Sequence, residues 1–361
     1  MNKKNIHYCD HNNYSQNPIM SHSERKRGYH TLPPKLIIIL VIAMLILSCG
    51  RNGNGPRELK LSLILGESSD WYRGAVKFGQ LLEEKTGGNY RIRIYPNAQL
   101  AGSVQRTELE MVQSGVIDIS LESSILLSLI EKRMSVFSLP WLFDDYDEAH
   151  RILDGPLGSE LLDMLPPKGI VGLAYGTNGF RQITNSRNPI RTPNDIAGMK
   201  IRVPGIRMYI DIFKLLDADP SSMNFGELFT ALAQKTMDGQ ENPLSVIHSR
   251  RLFEVQKFLT AWNYSYDPVI LCINKRLWDS LDANTQAVFT ECAQDAMRYE
   301  RDLVANGEPA LYDSLSAGGM EIHRLDTESV RAFIKMVEPI YHEYDRELGG
   351  GLVGRFREAV E

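Results

Sequence analysis

Apolar residues cluster in short runs along the chain, at 59–65, 90–95, 116–121, 170–175, 199–203, 269–274 and 320–323, and each run predicts a β-strand. Between them the apolar positions recur with a period near 3.6, which predicts helices at 71–85, 104–114, 157–165, 208–216 and 226–234. This alternation predicts an α/β fold. One stretch is longer than the rest: Asp282 can cap, and Val288, Phe289, Cys292, Ala293, Ala296, Tyr299 and Leu303 follow at helical spacing with no proline until Pro309, which predicts a single long helix over 282–315. Neither an internal repeat nor a low-complexity segment interrupts the pattern.

A different pattern stands at the N-terminus, where the twelve residues 36–47 are wholly apolar and follow Arg25, Lys26, Arg27 and Lys35. As a helix they would span only ~18 Å, short of the ~30 Å hydrocarbon core, so they read as a signal-peptide h-region before they read as a membrane anchor. Ile46-Leu47-Ser48-Cys49 is similar to a lipobox, whose cysteine receives lipid and becomes the new first residue. The expected division is therefore a lipoprotein signal at 1–48 and a Gly/Asn-rich tether at 49–57, with ordinary cleavage nearby or a retained anchor as the alternatives. Met20 offers a second candidate start.

Of the 361 residues, 43% are apolar and 24% charged, enough for a substantial core, and the formal charge of −5 gives no basic footprint for nucleic acid. The first 48 residues hold six Lys/Arg and two Asp/Glu, so the remainder carries −9. A body of that sign does not attract small anions by its general field; specific arginines in a desolvated cleft must hold them. Beyond Cys49, Cys272 and Cys292 are either two buried thiols or one bridge. The chain lacks GxxxxGK[ST], GxSxG, HExxH and CxxC, and its one GxGxxG string, at 349–354, has no strand before it and no βαβ unit after it. Scattered His150, His248, His323 and His342 make no ligand set, so neither a metal, a cofactor nor catalysis is expected.

Five strings carry the positive signal: 178–186 (NGFRQITNS), 200–204 (KIRVP), 225–232 (FGELFTAL), 238–244 (DGQENPL) and 253–258 (FEVQKF). Together with 95–100 (YPNAQL), 115–119 (GVIDI) and 139–143 (LPWLF), they closely resemble the solute-binding proteins of tripartite ATP-independent periplasmic (TRAP) transporters, the dicarboxylate-binding-protein family, from residue 59 to about 344.

The resemblance implies a two-lobed clamshell, lobe I from 58–178 plus 268–307 and lobe II from 179–267 plus 308–361, joined by crossing strands and braced by a long helix. It implies an exported monomer that closes on a small organic acid and delivers it to a small and a large membrane subunit of an ion-driven permease, and the lipobox at Cys49 independently gives it a lipid anchor as the expectation. The rival readings are a sensor module for a signalling receptor and a surface enzyme. It assigns the ligand carboxylate to Arg202, a role that suits the planar, permanently charged fork of a guanidinium. Arg181 would reach the carboxylate or a hydroxyl, Asn242 would donate and accept, and Phe225 would form an apolar wall. Glu122, Gln99, Ser69 and Asp70 are the implied contacts of the first lobe. Ile64 and Ile125 stand where the sialic-acid-binding branch has Asn and Arg, which disfavours sialic acid. Glu122 would repel a second carboxylate and accept hydroxyl hydrogen bonds, so a uronate or aldonate is expected over a C4-dicarboxylate.

Overall fold

The computed structural model of the chain describes residues 55–360, so the h-region, Cys49 and most of the tether lie outside the described residues. Among those described, no helix is long and apolar enough to cross a membrane. The chain begins with β1 (Arg57–Leu63), α1 (Asp70–Lys85), β2 (Tyr90–Tyr95), α2 (Gln105–Ser114) and β3 (Ile119–Ser123). Two long strands, β4 (Ile170–Asn185) and β8 (Phe258–Asn274), flank β5 (Lys200–Val203), α3 (Arg207–Leu215), β6 (Asp219–Ser222) and β7 (Gly239–Pro243). After β8 come α4 (Ala283–Ala317), β9 (Glu321–Arg324), α5 (Thr327–Val337), α6 (Pro339–Leu348) and α7 (Leu352–Val360).

All nine strands join one sheet in the order β2-β1-β3-β8-β4-β7-β5-β6, with β9 beside β8. The first half, β2-β1-β3, is parallel, and so is the far half, β7-β5-β6. β4 and β8 run antiparallel to each other along their length and stitch the halves together. The sheet is buried on both faces: Ile270 and Cys272 of β8 belong to one apolar core, while Val269, Leu271 and Ile273 between them belong to the other. Cys272 and Cys292 are separate buried thiols.

The strands expected at 170–175 and 269–274 are the outer portions of β4 and β8; the inner portions extend them by about ten residues each. Those inner portions hold Thr177, Asn178, Arg181, Gln182, Thr184, Ser265 and Asp267, all buried, so their polarity hides them from an apolar pattern. β4 bulges between Thr177 and Gly179, where Gly179 sits at φ +117°, a backbone angle that disfavours a side chain.

The long helix predicted from Asp282 is α4; the Asp282 carboxylate caps it by accepting from the Thr285 amide at 3.0 Å. The helix continues past Pro309 to Ala317. It packs on α1 and β4, and glycines permit the approach: a Cβ at Gly176 would lie 2.7 Å from Glu300 Oε2 and 2.8 Å from Val269 Cγ2.

Candidate functional site

A cavity of about 470 Å³ opens where the inner portion of β4 meets β5, β7, the first half of the sheet and the N-terminus of α1. Arg181, Arg202, Phe225 and Asn242 all line it, so the structure brings together the four residues that the motif strings single out in the far half. Pairing explains why. Arg181 of β4 stands opposite Pro243 of β7, and Arg202 of β5 opposite Gln240, so the two arginines and Asn242 come from neighbouring strands of one sheet.

The arginines differ in how the protein uses them. Arg181 is engaged by protein on all sides: Nε donates to Glu241 Oε2, Nη1 to Asp267 Oδ2 at 2.8 Å, and Nη2 to the Glu241 carbonyl, Glu241 Oε1 and Asn242 Oδ1 at 2.9, 3.0 and 3.1 Å. Tyr264 donates to Glu241 Oε2 at 2.6 Å, and Ser123 and Asn178 donate to the two oxygens of Asp267 at 2.6 and 2.7 Å. Burial alone would lower the Arg181 pKa, but Glu241 leads a set of anionic neighbours that hold it well above the ordinary arginine value. Burial also lifts Asp267 above the usual carboxylate range, against the pull of Arg181.

Arg202 is as deeply buried, at 3% exposure, yet it makes one hydrogen bond to protein, from Nη2 to the Met223 carbonyl at 2.8 Å. Its Nε has no partner, and among the described residues no carboxylate lies within 4 Å of it. Burial lowers its pKa to about 10, with Glu241 opposing and Arg181 adding to the shift. A guanidinium carries five donors; here Nε is buried without a partner, a cost that an anion entering beside it would offset. Phe225 covers it, the ring centroid lying 5.8 Å from the guanidinium carbon. Arg250 reaches the same ring at 5.1 Å and donates to Asn97 Oδ1 at 3.1 Å, tying the Phe225 wall to the first half of the molecule.

The first-half expectations need correction. Glu122 does not line the cavity: it is buried in the core beside Glu108 and Cys272, and burial, with Glu108 adding, pushes its carboxyl well above the ordinary value. Successive side chains of a strand face opposite ways, so its neighbour Ser123 reaches the cavity instead. Gln99 is exposed and away from the lining. Ser69 caps α1, accepting from the Tyr72 amide at 3.2 Å, and Asp70 pairs with Arg73 at 3.3 Å; the α1 residue in the lining is Trp71. Ile64 and Ile125, expected as departures from the sialic-acid pattern, both line the cavity. The residues not singled out beforehand are Trp71, Ser123, Asn178 and Asp267, with Glu241 behind them. Asn178 stands inside a motif string; Trp71 and Asp267 give no signal short of the fold.

Among the described residues no cluster of His, Cys, Asp and Glu is placed to hold a metal ion. The site is an arginine-floored cleft, an arrangement suited to holding an anion.

The sequence profile of the bacterial extracellular solute-binding protein family 7 matches residues 61–347. The 2,3-diketo-L-gulonate-binding periplasmic protein YiaO of Escherichia coli (strain K12) is 35% identical over 266 residues, covering 74% of this chain and 80% of that protein. Among solved structures, a TRAP periplasmic solute-binding protein from Ralstonia eutropha with bound (S)-2-acetolactate superposes with TM-score 0.81 at 34% identity, covering 84% of this chain and 98% of the other. The sugar acid-binding protein DctPAm from Advenella mimigardefordensis, in complex with galactonate, gives TM-score 0.82 at 33% identity over 85% and 98%.

Proposed function

The chain belongs to the bacterial extracellular solute-binding protein family 7, whose members bind solutes and are not enzymes, and on that premise we propose that it captures a small organic acid outside the cytoplasm and delivers it to the two membrane subunits of a TRAP permease. A single observation carries the reading: Arg202 is a buried guanidinium in the cavity floor with one protein hydrogen bond and no carboxylate partner. The ligand carboxylate is that partner, and Phe225 covers the pair from water. The ligands named for these structural neighbours, acetolactate and galactonate, are carboxylates, as is the succinate bound by another from Shewanella oneidensis.

Lobe I (58–178 plus 268–307) and lobe II (179–267 plus 308–361) close on the acid, with β4 and β8 as the crossing strands and α4 as the brace. Cys49 anchors the exported protein by lipid. The earlier preference for a sugar acid rested on Glu122, which lies in the core; that preference loses its reason.

Arg202→Ala tests the reading. Leaving a desolvated carboxylate without its cation costs about 2–5 kcal/mol, so calorimetry is expected to show affinity reduced by roughly 30-fold or more, with Arg202→Lys in between. Retention within about threefold in a folded variant overturns it.

A further inference from the structure

The acid must also fit the rest of the cavity, and three features of the lining restrict its class. They apply given that Arg202 takes the carboxylate.

The first is the supply of cations. Arg106, Arg181 and Arg202 are the arginines of the lining. Arg181 is held by Glu241 and Asp267, and Arg106 stands exposed at the mouth, 3.1 Å from Glu110. One buried guanidinium is left for ligand, which suits one carboxylate. A second would find no unpaired buried cation in the lining.

The second is the state of the inner polar groups. Ser123 gives its proton to Asp267 and accepts from the Ile125 amide. Asn178 gives to Asp267, while Asn242 accepts from Arg181 and gives to Gln240 Oε1. These are the side chains a polyol would use; they are joined to one another, and of their buried atoms Asn178 Oδ1 alone has no partner. Each ligand hydroxyl sealed in without a partner weakens binding by ~10-fold or more.

The third is the wall facing them. Ile64, Leu65, Trp71, Ile125, Leu126 and Val246 line it and all are buried; apart from the unpartnered Trp71 Nε1, this surface rewards methyl groups rather than hydroxyls.

We infer that this cleft selects a short monocarboxylate with a branched aliphatic body, in preference to a dicarboxylate or a polyhydroxy acid. The selecting residues are Ile64 and Ile125, the two isoleucines on the wall.

The test is calorimetry on the full-length protein with three probes: 3-methyl-2-oxobutanoate, succinate and D-gluconate. The branched acid is expected to bind at least tenfold tighter than either of the others, and Ile125→Ser is expected to cut that margin over gluconate severalfold. Succinate or gluconate binding as tightly as the branched acid overturns the inference, as does a margin unmoved by Ile125→Ser, or no binding by the branched acid. Arg202→Ala separates this inference from the reading beneath it. If that variant loses whichever acid binds the parent, the carboxylate assignment stands whatever the ranking; if it keeps that acid, the assignment itself fails.

Discussion

Arg181 and Arg202 are the same residue type, buried to the same degree on the two strands that flank β7, and their partners separate their roles. Arg181 neutralises two buried carboxylates, Glu241 and Asp267, so Arg181→Ala leaves both without their cation. Breaking a buried pair from one side commonly costs about 3–5 kcal/mol, a large share of a domain's stability, so this variant is expected to melt far below the parent or not to accumulate folded. Arg202→Met removes a guanidinium whose only hydrogen-bond partner among the described residues is a backbone carbonyl. It is expected to melt no lower than the ligand-free parent while losing the acid. Thermal melts of the two variants check this; a stable Arg181→Ala beside a collapsed Arg202→Met would reverse the assignment. The motif strings brought both arginines to notice, but only the hydrogen-bond partners tell a structural cation from a vacant one. At Glu122 the sequence position was one residue from the cavity, and strand alternation turns one residue into the opposite face.

Among the elements, those with apolar periodicity were legible: β1, β2, β5, the outer parts of β4 and β8, and α4 from its Asp282 cap. The short strand β7 and the inner parts of β4 and β8 were not, because many of their buried residues are polar and satisfied by one another rather than by apolar packing, and β6 has no buried residue to make a pattern. The long helix carries one such residue. Glu300 of α4 is buried against β4, where the Thr177 amide donates to Oε2 at 2.8 Å and Oε1 has no partner. Burial raises its pKa to about 8, with Asp70 of α1 adding and the Thr177 amide and Arg301 opposing. The folded state therefore keeps the proton through neutrality while the unfolded chain releases it above the ordinary value of 4.5. Its contribution is present in full below that value and is lost as pH rises towards 8. Glu108 of α2, raised to about 7 by burial, pushes the same way, so the informative quantity is the difference between parent and variant. Glu300→Gln is expected to match the parent's melting temperature near pH 4.5 and to exceed it increasingly up to pH 8. Melting curves that stay parallel across that range would show that Glu300 is not the proton carrier.

At the scale of the whole molecule, the two parallel half-sheets meet along β4 and β8, and the inner portions of those strands carry both the stabilising network around Arg181 and the cavity floor. The polar cluster that holds the halves together is thus also a wall of the cavity. Arg202, on β5, enters this wall from the far half, and Ile64, Leu65 and Trp71 close on it from the first half. Binding a carboxylate at Arg202 completes the hydrogen bonds that the protein leaves open there, and the apolar first-half residues exclude water from the pair. This makes affinity depend on the ligand's negative charge more than on its hydrogen-bonding shape. The most direct measurement is calorimetric titration of the parent with its tightest-binding acid and with the primary amide of that acid, which keeps the size and removes the charge. The amide is expected to bind roughly 30-fold more weakly or worse, a loss of about 2 kcal/mol; an amide that binds within threefold of the acid would contradict the assignment of a carboxylate to Arg202.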